Sequence, residues 1–138
     1  MVEIGQSASI CKTIESEDIL DFARLVCDEN PLHLDEEFSR QRRFGRPVAH
    51  GMFAASLISA VLGTRLPGPG TIYVNQTLSF LAPAYVGDTL TATATVIKKH
   101  PTKPVATLET VCTNQNGEVL IRGEAVVFFD ARACALAA

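Results

Sequence analysis

The run MFAASLISAVL at residues 52–62 is apolar on nearly every side of a helix. A helix with this pattern belongs in a core, because it has no polar face to turn toward water. Ser56 and Ser59 interrupt the run, which is also too short to span a bilayer. Gly63 follows directly and is the expected C-terminal cap. The rest of the chain must therefore supply enough apolar surface to enclose this helix.

The second half of the chain supplies that surface as strands. Four segments alternate apolar and polar residues with the period of two that is typical of strands. They lie at residues 71–81, 89–97, 105–113 and 118–129. A shorter strand is expected earlier, at residues 7–13.

Glycine and proline mark the connections. The loop at 66–70 holds two prolines and two glycines and cannot continue a helix. Asn116-Gly117 is a strong hairpin signal between the last two strands. Gly123 lies inside the last strand, where a glycine indicates either a bulge or the close approach of another backbone.

Shorter helices are predicted before the apolar run. A first helix is expected from Ser16, the predicted N-cap, to about Cys27. Asn30-Pro31 then turns the chain, since a residue before proline avoids the helical region, and residues 35–43 suit a short helical turn. The first helix has one apolar face, made of Ile19, Phe22, Ala23 and Val26.

This order of elements predicts an α+β fold in a single domain spanning residues 1–138. No other predicted helix is apolar enough to cover the run at 52–62, so a curved antiparallel sheet wrapped around that helix is the economical solution. An exposed edge strand in so small a sheet favours pairing with a second copy. Residues 131–138 are expected to form a flexible tail without a role.

Charge argues against a nucleic-acid partner. The formal net charge is −3, whereas binding to phosphate backbones needs a basic face. The basic residues gather in one local cluster, which is either a solvated loop or a docking patch for a phosphate-bearing small ligand. Its members are Arg40, Arg42, Arg43 and Arg46.

The cysteine pattern and the N-terminus predict a reduced cytoplasmic protein. The four cysteines form no C-x-x-C pair, which makes metal ligation improbable. The start MVEIGQSASI lacks a charged region followed by an apolar one, so no signal peptide is expected. Free thiols in the cytoplasm, with no membrane association, are the resulting expectation.

Groups able to move protons lie just before the apolar helix. Asp28, Asn30 and His33 surround Pro31, and His50 directly precedes Gly51. A carboxylate and an imidazole near one pocket can hold a water between them and pass its proton. Taken singly, each also has an ordinary interpretation, as a turn aspartate or a hydrogen-bonded surface histidine.

Gly51 would place its amide at the start of the apolar helix. Free N–H groups at a helix N-terminus attract developing negative charge and can serve as an oxyanion hole, although Gly51 could equally just ease the loop into the helix. For His50 we favour a structural role, tying loop to helix. Neither Ser56 nor Ser59 has a G-x-S-x-G elbow around it, so a serine nucleophile is not expected.

Three stretches carry a family resemblance. They are DENPLHLD, FGRPVAHGMFAASLISAVLG and LPGPGTIYVNQTLSFLAPAYVGDTLTATATV. Together they resemble the MaoC-like hydratases, and within them the short (R)-specific enoyl-CoA hydratases, over nearly the whole chain from about residue 4 to about residue 129. The resemblance implies a hot-dog fold, in which a sheet wraps around a long central helix, and a homodimer.

The resemblance also implies roles for individual residues. Asp28 and His33 would be the catalytic pair, the Gly51 amide would bind the thioester carbonyl, and Asn30 and Ser59 would support the site. The implied reaction hydrates a trans-2-enoyl-CoA to an (R)-3-hydroxyacyl-CoA without a metal or a redox cofactor. The helix would line an acyl pocket through Met52, Phe53, Leu57 and Leu62.

Several alternatives stay open on the sequence alone. A hot-dog acyl-CoA thioesterase would aim the water at C1 instead of C3, and a non-catalytic acyl-CoA-binding module would bind without turnover. A 3-hydroxyacyl-[acyl carrier protein] dehydratase would use another acyl carrier. Chain-length preference, the pathway and the basic residues that dock coenzyme A are also undecided, with Arg65, Lys98, Lys99 and Lys103 as candidates beside the arginine cluster.

Overall fold

The computed structural model describes residues 1–130, and the tail expected at 131–138 lies outside the described residues. The apolar run forms a helix, α4, and the alternating segments form strands. In chain order the elements are β1 (Ser7–Thr13), α1 (Ser16–Val26), α2 (Pro31–Leu34), α3 (Glu36–Arg40), α4 (Gly51–Thr64), β2 (Ile72–Gln76), β3 (Ser79–Phe80), β4 (Thr89–Lys99), β5 (Val105–Thr113) and β6 (Val119–Phe128).

Within residues 1–130 the strands form one antiparallel sheet in the order β1-β4-β5-β6-β2, and β3 also pairs with β6. β1 and β2 are therefore the two edge strands. α4 packs against β1, β4 and β5. The predicted arrangement of a sheet around the apolar helix is confirmed.

The core lies between α4 and the inner face of the sheet. Along β4 every second side chain is buried, from Leu90 to Val96, as the alternating pattern predicted. From α4, Ile58, Val61 and Leu62 are at most 1% exposed. Full burial of each such side chain contributes about 1.5–3 kcal/mol. No helix within the described part of the chain is long and apolar enough to cross a membrane.

The single strand predicted at 71–81 is wrong. The structure divides this segment into β2 and β3, with a register shift between Tyr73 and Asn75. Thr77 lies between the two strands and bonds to β6, donating its N–H to the Glu124 carbonyl at 2.9 Å. Two apolar side chains of the segment are also not covered by this chain: Ile72 is 64% exposed and Val74 is 53% exposed, whereas Leu78 packs partly buried against the core.

Two predicted helix caps are also wrong. The N-cap of α1 is Glu15 and not Ser16, because the Glu15 N–H donates to the Asp18 carboxylate at 2.8 Å. That bond, with a smaller contribution from Lys12, lowers the pKa of Asp18. At the other end, α4 continues through Gly63 to Thr64, and Arg65 is its C-cap.

The two predictions made from glycines, a hairpin turn at Gly117 and a close approach at Gly123, are confirmed. Gly117 adopts a φ of +75° in the turn between β5 and β6, where Asn116 precedes it. Gly123 marks a close approach: a Cβ built on it would lie 1.8 Å from the Thr77 carbonyl oxygen. The Gln76 side chain donates to the same oxygen at 2.8 Å, so this carbonyl is held in place.

The contact at Gly123 generates a prediction. Gly123→Ala should lower the free energy of unfolding by about 1–3 kcal/mol, because the new methyl group overlaps the Thr77 carbonyl and β3 must move. Urea unfolding followed by circular dichroism measures this change.

Gly63→Ala is the matched control, because its Cβ meets nothing within 4 Å and the residue is helical. Alanine there should raise the free energy of unfolding by about 0.5–1 kcal/mol. Equal effects of the two substitutions would contradict the assignment of Gly123 as a packing contact.

Candidate active site

Asp28 is placed by the end of α1. Cys27 caps this helix in the left-handed conformation, with φ of 62°, and the N–H of Asp28 bonds back to the Ala23 carbonyl at 3.0 Å. The chain thus leaves the helix sharply, and the exposed Asp28 carboxylate turns toward Asn30, accepting from its N–H at 3.4 Å. Asp28 is therefore a helix-end residue, as the sequence predicted.

His33 is placed by the one-turn helix α2. The Asn30-Pro31 turn proved to be the start of this helix, with Asn30 accepting from the Leu32 N–H at 3.0 Å. The Nδ1 of His33 lies 2.8 Å from the Val48 carbonyl oxygen. A carbonyl only accepts, so Nδ1 holds the proton and Nε2 keeps a free lone pair. The half-buried His33 can therefore act as a base through Nε2.

His50 connects the two residues. It is only 2% exposed, and its Nε2 donates to the backbone carbonyl of Asp28 at 2.9 Å. Its ring stacks on the His33 ring, with centroids 3.9 Å apart and an interplanar angle of 30°. The edge of Phe22 packs against it at 5.0 Å. These contacts agree with the structural role expected for His50.

The structure brings Asp28, His33 and His50 together. One oxygen or nitrogen from each residue lies within 4.8 Å of those of the other two. Two hydrogen bonds of about 2.8 Å each reach across as much as about 5.6 Å. One water can therefore bridge the Asp28 carboxylate and the His33 ring, although the spacing would also suit a metal ion.

Gly51 opens α4 with a free donor. His50 is the N-cap and its side chain does not cap the helix, and among residues 1–130 none accepts from the Gly51 N–H. A Cβ on Gly51 would lie 2.8 Å from the Phe80 ring, so a larger residue here would have to displace that exposed side chain. An exposed N–H at the start of a 14-residue helix suits a developing oxyanion.

Two cavities are lined by these groups. A cavity of about 540 Å³ is lined by His33, His50, Gly51 and Phe80, among others. A second, of about 800 Å³, is lined by Asp28 and by residues of α1, α4 and β2. The His33 imidazole thus lines the smaller cavity and the Asp28 carboxylate lines the larger one. Both groups nevertheless belong to the same cluster of side chains.

Comparison with known proteins identifies the family. The profile described as "MaoC like domain" matches residues 3–116. This chain belongs to the MaoC-like family. It is 53% identical over 131 residues to an (R)-specific enoyl-CoA hydratase of Rhodospirillum rubrum, a match covering 95% of this chain and 90% of that protein.

Further relatives agree. An (R)-specific enoyl-CoA hydratase of Aeromonas caviae is 46% identical over 91% of this chain and 94% of its own length. The solved structure of an (R)-hydratase from A. caviae involved in PHA biosynthesis superposes with a TM-score of 0.90, at 45% identity, covering 94% of this chain and 98% of that one. The MaoC-like chain therefore has the hot-dog fold that its sequence resemblance implied.

The residues expected to line an acyl pocket have different surroundings in this MaoC-like domain. Met52 is 58% exposed and lines the larger cavity, as does Ser59. Phe53 and Leu62 are buried in the core and line neither cavity, and Leu57 packs partly buried against the same core. Their role in an acyl pocket stays a prediction.

The arginine cluster of the MaoC-like domain lies on aromatic rings. Arg42 stacks on Phe38 at 4.1 Å and Arg46 on Tyr85 at 3.5 Å. Arg43 lies 5.9 Å from the ring of its neighbour Phe44, and this pair lines the smaller cavity. None of these guanidinium groups forms a salt bridge within residues 1–130. Guanidinium groups without a carboxylate partner suit a phosphate.

Sequence reasoning missed three contacts of the site. The Val48 carbonyl that sets the tautomer of His33 has no side-chain signal, and the packing of Phe80 on Gly51 joins residues far apart in sequence. Tyr73 donates to Gln76 at 2.6 Å and lines the larger cavity, and burial raises the pKa of its hydroxyl. The spacing of Tyr73 and Gln76 in the stretch TIYVNQTLSF could have indicated this pair.

Proposed function

We propose that this protein is an (R)-specific enoyl-CoA hydratase, adding water to a trans-2-enoyl thioester to give an (R)-3-hydroxyacyl thioester. The names of the relatives in R. rubrum and A. caviae support this reaction. The observation that carries it is the cluster of the Asp28 carboxylate, the His33 ring and the nearby free N–H of Gly51.

The first step is attack of water on C3 of the substrate. The water lies between Asp28 and the lone pair on His33 Nε2, and Asp28 takes its proton as the new C3–O bond forms. The C2=C3 electrons move toward the carbonyl, and negative charge develops on the thioester oxygen. The Gly51 N–H then donates to that oxygen, and one such donor typically lowers the barrier by about 2.7–4 kcal/mol.

The second step returns the proton. The enolate collapses, the C2–H bond forms with the proton that the Asp28 and His33 pair received, and the thioester carbonyl is restored. Both new bonds form on the face of the substrate that the pair occupies. No atom is left over, since the elements of one water have been added across C2=C3, and the reverse sequence dehydrates the product.

We propose that no metal or redox cofactor takes part. The thioester carbonyl already accepts the electron pair released by the attack. His33 donates its Nδ1–H to the Val48 carbonyl and keeps the lone pair of Nε2 for the water. A catalytic water uses the lone pair of His33 without any further ligand.

The acyl carrier is proposed to be coenzyme A. The relatives named above act on CoA thioesters by name. Arg43 and Phe44 at the smaller cavity, next to His33 and Gly51, offer a cation and a ring face near the reacting end. A phosphate-bearing carrier suits these unpaired arginines.

The thiols support a reducing, cytoplasmic setting. Cys11, Cys27 and Cys112 are all free. Burial raises the pKa of the Cys112 thiol to about 11, so this group stays protonated and inert at neutral pH. Exposed Cys11 and Cys27 would persist as thiols where the surroundings are reducing.

Hydration of crotonyl-CoA tests the proposal. The enoyl absorbance should fall while no thiol is released, and EDTA should leave the rate unchanged because no metal takes part. Ultraviolet absorbance and a thiol reagent follow the two signals in one sample. Release of free coenzyme A would instead favour a thioesterase, and binding with neither signal would favour a non-catalytic module.

The catalytic pair is tested by isosteric substitution. Asp28→Asn and His33→Gln should each lower kcat by about 10²–10⁴-fold, because the first removes the base that takes the water's proton and the second removes the lone pair that holds the water. Both proteins should stay folded by circular dichroism, since neither side chain is buried. Asp21→Asn and His100→Gln are the matched controls and should keep full activity. Activity within threefold of wild type in either site variant would exclude that residue from the chemistry.

We also propose that the protein works as a homodimer joined through β2. This strand is an edge of the sheet, and its Ile72, Tyr73 and Val74 are 64%, 40% and 53% exposed. Apolar edge strands of this kind are normally covered. Sedimentation velocity should give a dimer for wild type and a monomer for Val74→Lys, whereas Leu25→Lys, at a residue 81% exposed on α1, should remain dimeric.

A further inference from the structure

His50 has an unusual set of partners for a buried histidine. It is 2% exposed, yet only one ring nitrogen is satisfied: Nε2 donates to the Asp28 carbonyl at 2.9 Å, and Nδ1 has no hydrogen-bond partner among residues 1–130. A buried nitrogen without a hydrogen-bond partner destabilises a protein. A residue kept only for stability would not need that nitrogen, because a phenylalanine would fill the same space.

Two aromatic rings also contact the His50 side chain. One face stacks on His33 with centroids 3.9 Å apart, and Phe22 packs its edge against His50 at 5.0 Å. Phe22 is itself held edge-on by Phe53 of α4 at 5.6 Å. His50 thus occupies a fixed position between the core and the His33 ring.

We propose that His50 is a positioning residue for the hydration, holding the Asp28 backbone and the plane of the His33 ring in one geometry. The inference rests on the proposed function, in which Asp28 and His33 share one water. It goes beyond a structural tie between loop and helix, because His50 contacts both members of the pair. It touches neither the water nor the substrate.

A positioning residue matters here because Asp28 has few contacts that hold its carboxylate in place. Asp28 lies after α1, in an exposed segment, and its carboxylate has only a long bond of 3.4 Å to Asn30. The hydrogen bond from His50 joins this segment to the loop before α4, and further along the chain Leu32 and His33 bond to Val48 of the same loop. Misplacing a reacting group by about 1 Å can reduce a rate by about a hundredfold.

Two substitutions separate the two contacts. His50→Phe keeps the ring that stacks on His33 and loses only the bond to the Asp28 carbonyl, since Nδ1 bonds to nothing. His50→Gln keeps a donor near the place of Nε2 and loses the ring. Each should lower kcat for crotonyl-CoA by about tenfold with KM within about twofold of wild type, because geometry and not substrate binding is changed.

A double-mutant cycle shows whether His50 acts through the pair. In the Asp28→Asn background, where no carboxylate remains to position, His50→Phe should change kcat by less than about twofold. An equal loss in both backgrounds would overturn the proposal, and so would a full kcat in His50→Phe or a change confined to KM. His100→Phe is the matched control, since His100 lies in the turn after β4 and bonds only to that turn.

A second measurement does not depend on activity. The protein has three histidines, so nitrogen NMR of the ring signals is simple to assign with His100→Phe and His33→Gln. The proposal requires a proton on Nε2 of His50 and on Nδ1 of His33, and His50→Phe should broaden or shift the His33 signals. A proton on Nδ1 of His50 would overturn it. A wild-type protein with these signals but without hydration of crotonyl-CoA would instead contradict the proposed function alone.

Discussion

The geometry of the site depends on four consecutive residues, Val48 to Gly51. The Ala49 N–H bonds to the Ala84 carbonyl at 2.8 Å, which attaches this segment to the chain before β4. From that anchor, the Val48 carbonyl fixes the His33 tautomer, the His50 ring contacts Asp28 and His33, and Gly51 offers its N–H. The proposed catalytic pair and the proposed oxyanion donor therefore share one reference segment, although they come from separate parts of the chain.

That reference is stable because α4 is buried. The helix begins at Gly51 and places Ile58, Val61 and Leu62 against the sheet. A shift of the helix along its axis would move the Gly51 amide and would also expose core side chains that each contribute about 1.5–3 kcal/mol. The packing that stabilises the fold thus also keeps the Gly51 N–H, the proposed oxyanion donor, in place.

Local patterns predicted most of the fold, and distant contacts explain what they missed. The alternation in residues 89–97 and 105–113 is a property of the segment itself, so β4 and β5 were predicted well. The break after β2 depends on Thr77 bonding to Glu124, a contact 47 residues apart that no local pattern contains. In the site, the stretch DENPLHLD indicated the Asp28 carboxylate and the His33 imidazole. It did not indicate the contacts that orient them, because these come from a loop 15 to 22 residues later.

The uncovered edge of the sheet adds a constraint that neither the helix nor the loop supplies. The cavity of about 800 Å³ that Asp28 lines is bounded on one side by β2, through Tyr73, Val74, Asn75 and Gln76. A second copy paired along β2 would therefore border the same cavity and reduce the access of bulk water to the carboxylate. Excluding water strengthens every electrostatic interaction in a site. The strand β2 is thus both the apolar edge that a second copy would cover and one wall of the cavity that a second copy would close.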